Sequence, residues 1–374
     1  MIKGIHTSLF MGPAVPVPVP QAVIEALTDI QITTSAGQAS GFQLTFTLSS
    51  KSVLNTLLLM IGEVGPIVRV IIIVTVNGTP NVMMDGVITN NEVSPNVEQG
   101  QSTLTLTGED LTRVMDLFDF TGIPYPAMPP EARVALIVAK YAFLGMIPMV
   151  IPSVLIDLPI PVERIPTHQG KDLAYIKQLA DEVGYVFYLD PGPAPGTSIA
   201  YWGPEIKIGR PQPALNVNMN AHTNVESLSF NYDSTRAAIP VIYIQEQATK
   251  APIPIPIPDI SPINPPLGFI PPFKAKLDYL THTAKYSPIR AAAIGLATAA
   301  KSSEAVSGSG TLDVLRYGRI LKARQLVGVR GAGQAFDGLY YVRSVTHRIK
   351  RGEYKQSFEL TRNGLVSTVP RVPA

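Results

Sequence analysis

Five histidines are the residues of this chain that could most readily bind a metal or move a proton. Two histidines four residues apart on a helix would present two imidazoles to one zinc ion, but no two of the five have this spacing. They are dispersed, so each is predicted to be a structural or surface residue: His6, His168, His222, His282 and His347. The sequence therefore predicts no metal site.

Two glycine-rich stretches have the residue types of a nucleophile or cofactor site, but not the spacing. Ser-Gly-Ser-Gly at 307–310 does not match the Gly-x-Ser-x-Gly elbow of the hydrolases and is predicted to be a flexible loop. Gly-Ala-Gly at 331–333 lacks the third glycine and the following helix of a dinucleotide cradle. No cofactor-binding residue is predicted.

Carboxylates and one asparagine complete the search for chemistry. Asp116 and Asp119 are predicted on one helical face, where a solvated surface is favoured over the acid pair of a glycosidase. Asn77-Gly78-Thr79 matches a glycosylation acceptor but is typical of a hairpin turn. The sequence predicts no catalytic, cofactor-binding or metal-binding residue, and the chain is not expected to be an enzyme.

The composition indicates large buried surfaces. The chain has 374 residues, no cysteine, 16% charged residues and a mean hydropathy of +0.20, which is apolar for a soluble monomer. The longest apolar stretch, residues 141–156, is too short to span a membrane and contains two prolines. No spanning helix and no signal peptide are expected, because prolines also interrupt the apolar amino terminus.

Charge is distributed unevenly along the chain. From residue 311 to the end, twelve Lys and Arg stand against four Asp and Glu. Such a basic segment could contact nucleic acid or an acidic surface, although alternate solvated positions on strands are favoured.

Residues 22–110 have the pattern of β structure. Phe42, Leu44, Phe46 and Leu48 alternate with polar residues, as in a strand with one buried face. The Asn77-Gly78 pair predicts a hairpin. A further strand is expected to turn at Gly108 into a helix, and another helix is predicted near residues 51–61.

The centre of the chain changes to helical patterns. One helix is predicted between Pro129-Pro130 and Gly145, since proline suits the first turn of a helix and glycine suits its end. Residues 170–192 predict an amphipathic helix ended by Gly184 and followed by a strand at 185–189. This helix–strand unit carries no chemistry, so its role is architectural.

Prolines dominate residues 251–273, which hold nine of them. Such a segment is excluded from the interior of a sheet and is predicted to run as extended polyproline II. It is expected to be either a stiff surface excursion or a ligand for a proline-reading partner. A helix of small residues follows, and β structure returns up to a closing hairpin near Arg351-Gly352.

Four motifs together resemble the phage late control D proteins, which are baseplate hub proteins of contractile tails related to the hub part of the type VI secretion spike protein. They are the helix–strand unit at 172–188, "MMDGVITNNEV" at 83–93, "LTLTGEDLTRVMD" at 104–116 and "GLYYVRSVTHRI" at 338–349. In the last motif Gly338, Tyr340, Val342, Val345 and His347 match the family pattern. The resemblance covers about residues 20–110 and 165–365.

The resemblance implies an α+β, mainly β fold with two β-barrel-like tube domains around a smaller helical or mixed centre. The domains expected are an N-terminal Pro-rich arm (1–21), a first tube domain (22–118), the centre (119–221), a second tube domain (222–250 and 311–366), a Pro-rich and helical insertion (251–310) and a tail (367–374). Because the chain ends soon after its closing hairpin, the spike is expected to be a separate chain.

The resemblance also implies the function and the partners. The chain is expected to be a homotrimeric adaptor that joins a hexameric inner-tube ring to a trimeric spike in a phage tail, a tailocin or another contractile injection particle. A further hypothesis places Arg343, Arg348 and Lys350 of the basic last segment at the lumen of this ring, against the material that passes through it. Wedge proteins are further possible partners; no cofactor, nucleic acid or stable membrane insertion is expected. The alternatives are a tail-tip cell-wall hydrolase and a surface-binding adhesin, the latter favoured by the apolar prolines and by Tyr201 and Trp202 as exposed aromatic residues.

Overall fold

The computed structural model describes residues 4–372 apart from 14, 49–66, 97–100, 154–164, 236, 246–250, 258–264, 274–275, 282, 284–287 and 370–371. The helix predicted near residues 51–61 and the predicted surface role of His282 lie outside the described residues.

Strands make up about half of the described chain and outweigh the helices, so the α+β, mainly β class is confirmed. The strands of the first half are β1 (Ile5–Gly12), β2 (Val17–Pro18), β3 (Leu27–Ser35), β4 (Gly41–Leu48), β5 (Arg69–Val76), β6 (Thr79–Asn96), β7 (Gln101–Asp110), β8 (Met146–Val150), β9 (Val186–Pro191) and β10 (Ser198–Gly203). Those of the second half are β11 (Gln212–Asn216), β12 (Ser227–Tyr232), β13 (Ala238–Gln245), β14 (Pro252–Pro256), β15 (Gly268–Ile270), β16 (Lys276–Leu280), β17 (Val306–Asp313), β18 (Leu326–Arg330), β19 (Gly338–Lys350), β20 (Glu353–Arg362) and β21 (Leu365–Ser367). The α-helices are α1 (Gln21–Ala26), α2 (Pro130–Ala139), α3 (Asp172–Val183), α4 (Pro288–Ser302) and α5 (Val314–Tyr317).

Thirteen strands from both halves of the chain form one continuous sheet. Its main path runs β12-β17-β20-β19-β3-β4-β7-β6-β5-β1-β2, while β18 pairs with β19 and β11 pairs with β18. One hydrophobic core lies under the whole sheet. Among the described residues, the two tube-like halves therefore share an open sheet and do not close into two separate barrels.

The two halves of this sheet have the same connectivity. We call β1, β3, β4, β5, β6 and β7 the first module, and β11, β12, β17, β18, β19 and β20 the second module. In space the first module runs β3-β4-β7-β6-β5-β1, and the second runs β12-β17-β20-β19-β18-β11. Each strand therefore has a counterpart at the same place in chain order and in the sheet. The two modules differ in the direction of the strand at the end of each path, since β1 is antiparallel to β5 whereas β11 is parallel to β18.

A matching irregularity fixes the correspondence residue by residue. The pairing of β6 with β7 shifts between Ile88 and Asn90, and the pairing of β19 with β20 shifts between Val342 and Ser344. Each shift inserts one unpaired residue, Thr89 or Arg343, which is a β-bulge and bends the strand. Because the bulges match, Asn90 onwards in β6 corresponds to Ser344 onwards in β19.

Local sequence explains several elements of the first module. Asn77 and Gly78 have φ values of 50° and 84°, as the tight hairpin between β5 and β6 requires, so this prediction is confirmed. The predicted turn at Gly108 is wrong, because β7 continues to Asp110. A Cβ at Gly108 would lie 2.3 Å from the Phe42 ring, so glycine is needed there for packing. Asp110 then caps a 3₁₀ segment, Leu111–Asp116, by accepting from the Thr112 amide.

The central part packs α2 and α3 against a small sheet of β8, β10 and β9. Helix α3 ends as predicted at Gly184, whose φ is 71°, and β9 follows directly. Its inward face buries Tyr175, Ile176 and Leu179. The helix predicted to reach Gly145 is shorter, because α2 ends at Ala139 and a 3₁₀ turn, Ala142–Leu144, leads to the glycine.

Strands β13, β14 and β16 and helix α4 form a unit beside the second module, with a small core of its own. Residues 252–256 belong to β14, an edge strand, so the polyproline II prediction is wrong for these five residues. The predicted loop at 307–310 is also wrong, because these residues lie within β17. Their glycines leave room for aromatic rings: a Cβ on Gly308 would lie 2.8 Å from Phe230, and a Cβ on Gly310 would lie 2.8 Å from Phe358.

Candidate assembly interface

The residue cluster that most resembles an active site is buried in the centre. Asp172 accepts from the Tyr141 hydroxyl and from the Lys140 ammonium, each at 2.7 Å, and His168 Nε2 lies 3.4 Å from its other oxygen. Burial lowers the pKa of His168. Since His168 and Asp172 are fully buried, this network can position α3 but cannot receive a substrate.

A second buried histidine stabilises the second module. The Gln356 amide donates to Leu321 O at 2.8 Å and to His347 Nδ1 at 3.1 Å, while its oxygen accepts from the Leu321 amide. Because an amide nitrogen can only donate, His347 Nδ1 accepts and the ring is neutral. Burial lowers the pKa of His347 to about 3. Among the described residues, no group of three acidic or histidine side chains could hold a metal.

Some of the residues expected on the surface are exposed and others are buried. His6 and His222 are exposed, as predicted. Trp202 is fully buried and Tyr201 is also buried, so the exposed aromatic pair expected of an adhesin is absent. Asp116 and Asp119 do not share a helix, because the 3₁₀ segment ends at Asp116 and Asp119 forms an isolated bridge with Lys171. No helix of the described chain is long and apolar enough to cross a membrane.

The junction between the two modules is a strand pair. Strand β3 of the first module lies antiparallel to residues 344–350 of β19, with Thr33 opposite Thr346 and Ile32 opposite His347. The Thr33 and Thr346 hydroxyls are 3.2 Å apart, and Arg348 pairs with Asp29 at 3.2 Å. The Ala36 amide donates to Arg343 O at 2.8 Å, so the odd-numbered residues of this part of β19 direct their backbone groups at β3.

Two other strand edges, at the corresponding places, have no neighbouring strand among the described residues. Strand β12 is the counterpart of β3 and pairs only with β17; residues 90–96 of β6 are the counterpart of 344–350 and pair only with β7. We call these segments the bare edges. The burial differs accordingly: Val345, His347 and Ile349 are buried, whereas their counterparts in β6 are exposed.

Prolines cover two further edges. Just beyond β2 the Val19 amide donates to Leu9 O, and just beyond β14 the Ile257 amide donates to Pro240 O. Valine and isoleucine therefore direct their amides at the sheet, and the alternating prolines occupy the positions that face outward. Since proline has no N–H, these two edges offer no donors there to another strand. The bare edge of β12 contains no proline.

Basic residues of the last segment lie on or beside the junction. Arg348 is exposed and paired with Asp29, and Arg343 at the bulge lies 3.4 Å from Glu304. Lys350 is exposed, opposite Asp29 in the strand pairing. All three lie on or next to the polar face of the sheet, which is consistent with the lumen hypothesis but does not test it.

The sequence reasoning found the two motifs around the bulges but did not align them with each other. "DGVITNNEV" (85–93) and "LYYVRSVTH" (339–347) are corresponding segments of the two modules. The signal that was missed is the internal repeat, which is too weak in residue identity to be seen without the strand order.

Solved structures with a similar fold include tail proteins and a type VI secretion component. A tail protein from Neisseria meningitidis is 13% identical, with a TM-score of 0.62, over 97% of this chain and 98% of that one. The 43 kDa tail protein of prophage MuSo2 from Shewanella oneidensis is 13% identical, with a TM-score of 0.62, over 96% and 98%. An Escherichia coli type VI secretion component, described as similar to T4 tail proteins, is 11% identical, with a TM-score of 0.52, over 93% and 76%.

No protein-family model and no curated protein matches the chain. The structural similarities extend over nearly the whole chain, at identities that establish the fold alone. The resemblance seen in the sequence motifs is confirmed at this level: the chain has the fold shared by phage tail proteins and type VI secretion components.

Proposed function

We propose that this chain is a structural hub of a phage tail or contractile injection particle, located in its baseplate. Three copies form a ring that joins a hexameric inner tube on one face to a trimeric spike on the other. The chain acts by binding and carries no catalytic site or cofactor.

The observation that carries the proposal is the duplicated six-strand module. A chain with two similar modules presents six of them when three copies form a closed ring, so a threefold oligomer can match a sixfold partner. Closed cyclic rings are a common solution for soluble oligomers. The fold shared with tail proteins supports the same role.

The apolar surface of the chain supports extensive burial against partners. Large side chains are exposed on and just after β15, where Phe269 and Phe273 are each more than 70% exposed. Ile147 and Met149 are exposed on β8, an edge strand of the central sheet. Buried apolar area of this kind contributes about 25 cal/mol per Å². Tube, spike and wedge proteins are the partners that we propose for these surfaces.

The proposal is tested by the mass of the assembly. Native mass spectrometry of the purified chain should show a trimer, and mixing with the tube and spike proteins of the same particle should give a complex of three hub, six tube and three spike chains. A chain that remains monomeric with both partners present would contradict the proposal. Clearing of a cell-wall zymogram by the purified chain would instead favour the hydrolase.

A further inference from the structure

The junction inside the chain is a template for a contact between chains. Matching strand order and matching bulges place β12 where β3 lies and residues 90–96 of β6 where 344–350 of β19 lie. The first module meets the second through β3 and β19. If the modules alternate around a ring, the second module must meet the next first module through the two bare edges.

The side chains of the bare edges fit this arrangement. The strand registers place Leu228 and Phe230 at the positions of Ile30 and Ile32. Both isoleucines are buried, whereas Leu228 and Phe230 pack on the same core but are only half-buried. Val93, which is 44% exposed, occupies the position of the buried His347. A strand laid on either edge would complete the burial of these residues.

The backbone groups are also available. The backbone amide of Asp233, just beyond β12, donates to Ala305 O, so the backbone groups of Phe230 and Tyr232 face away from β17. On β6 the correspondence with β19 turns Asn91 and Val93 outward. Pro95 also faces outward, since it follows Asn91 and Val93 at a spacing of two residues. Because proline has no N–H, the row of outward backbone donors ends before it.

We propose that β12 of one copy pairs antiparallel with residues 90–94 of β6 in a second copy, in the register of the junction. Val93 then lies opposite Phe230, and Glu92 lies opposite Asn231 on the polar face, as Thr346 lies opposite Thr33. This inference rests on the proposed function, since it specifies how the ring closes.

A second copy is favoured over another partner by the pattern of protected edges. The chain places prolines on the outward positions of β2 and β14 and leaves β12 without any. The two bare edges are the counterparts of two segments that pair with each other inside the chain, β3 and residues 344–350 of β19. Six strands separate the bare edges within one chain, so they cannot pair with each other there. The contact is head-to-tail and can close into a ring.

The absence of cysteine makes disulfide mapping a clean test. The double variant Glu92→Cys/Asn231→Cys places two thiols opposite each other across the proposed contact, within the Cα separation that a disulfide accepts. Oxidation of the trimer should give covalent dimers and trimers on a non-reducing gel, with no larger species because the ring is closed.

Glu92→Cys/Ser227→Cys is the register control. It keeps one thiol and moves the other four residues along the same face of β12, about 13 Å away, so it should remain monomeric on the gel. If both pairs cross-link equally, or if the trimer forms and neither pair cross-links, the proposed contact is wrong while the trimeric hub stands. If the unmodified chain forms no trimer, the proposed function itself fails.

A disruption test needs no disulfide. Val93→Asp places a charge in the proposed contact at a position exposed in the single chain, so the monomer should fold while the trimer is lost. Val17→Asp is the matched control, because Val17 is 62% exposed on the proline-protected strand β2, and it should leave the trimer intact. Equal trimer content in the two variants would overturn the proposal.

Discussion

At the scale of single residues, the groups that could do chemistry serve the packing of the fold. His347 lies in the motif that suggested the family, yet it is buried and bonded to Tyr354 and Gln356, and Gln356 is in turn held by the backbone of Leu321. Its neutral ring accepts hydrogen bonds at Nδ1, and protonation there would break them. Burial makes this residue a structural one and gives the fold a sensitivity to acid.

The stability of the fold should fall in mild acid because of His347. Its pKa is about 3 in the folded chain and about 6.5 in an unfolded one. Between about pH 6.5 and pH 3, His347 is protonated in the unfolded chain but not in the folded one. Protonation therefore lowers the free energy of unfolding by up to about 1.4 kcal/mol per pH unit in this range. His347→Gln should remove this part of the slope in urea unfolding measured between pH 7 and pH 4.

His222→Gln is the control for this measurement. His222 is exposed, so the slope should remain that of the parent chain. If His347→Gln leaves the pH dependence unchanged, protonation of His347 does not limit stability in acid.

At the scale of elements, local patterns predicted those structures whose cause is local. The Asn77-Gly78 hairpin and the end of α3 at Gly184 follow from residues that accept a positive φ. Strand β17 was missed because glycine disfavours strands, and only the rings of Phe230 and Phe358, distant in sequence, explain it. The adhesin alternative depended on an exposed Trp202, and the sequence does not predict its burial because nothing local shows that the centre packs over β10.

The alternation of β14 was also misread for a physical reason. Proline excludes a segment from the interior of a sheet but not from its edge, provided that every proline faces outward. Period-two spacing meets this condition, since Ile253 and Ile255 then supply the inward amides. A segment that reads as polyproline II in isolation is therefore an edge strand when β13 lies beside it.

Replacing the prolines should expose the edge that they protect. Pro252→Val/Pro254→Val/Pro256→Val restores three outward N–H groups on an exposed apolar strand, so we expect self-association through β14. Dynamic light scattering at rising concentration should show growth beyond the assembly formed by the parent chain.

Ile253→Val/Ile255→Val is the matched control, since it shortens two side chains of the same strand by a methylene each and leaves the backbone amides and the prolines unchanged. It should scatter light as the parent does. A proline-free variant that stays as soluble as this control would mean that the prolines do not protect the edge.

At the scale of the whole molecule, the chain depends on joining its modules and its centre into one body. The modules share a sheet and a core, but the centre has a separate core. Arg69 on β5 forms a two-point ion pair with Asp85 on β6, both bonds 2.7 Å long, and its Nη2 also donates to Leu144 O and Gly196 O of the centre. One buried guanidinium therefore links the first module to two loops of the centre.

Loss of Asp85 should be among the most destabilising single changes in the chain. Asp85→Ala leaves the Arg69 charge buried without its partner, which typically costs about 3–5 kcal/mol. Asp116→Ala, in a partly exposed pair with Arg113, should cost less than about 1 kcal/mol. Chemical unfolding measures both free energies.

The double variant Arg69→Met/Asp85→Ala should lose less free energy of unfolding than the two single variants lose together, because removing both partners leaves no uncompensated charge. Additive losses would mean that the two side chains stabilise the fold separately, and that the ion pair does not couple the module to the centre.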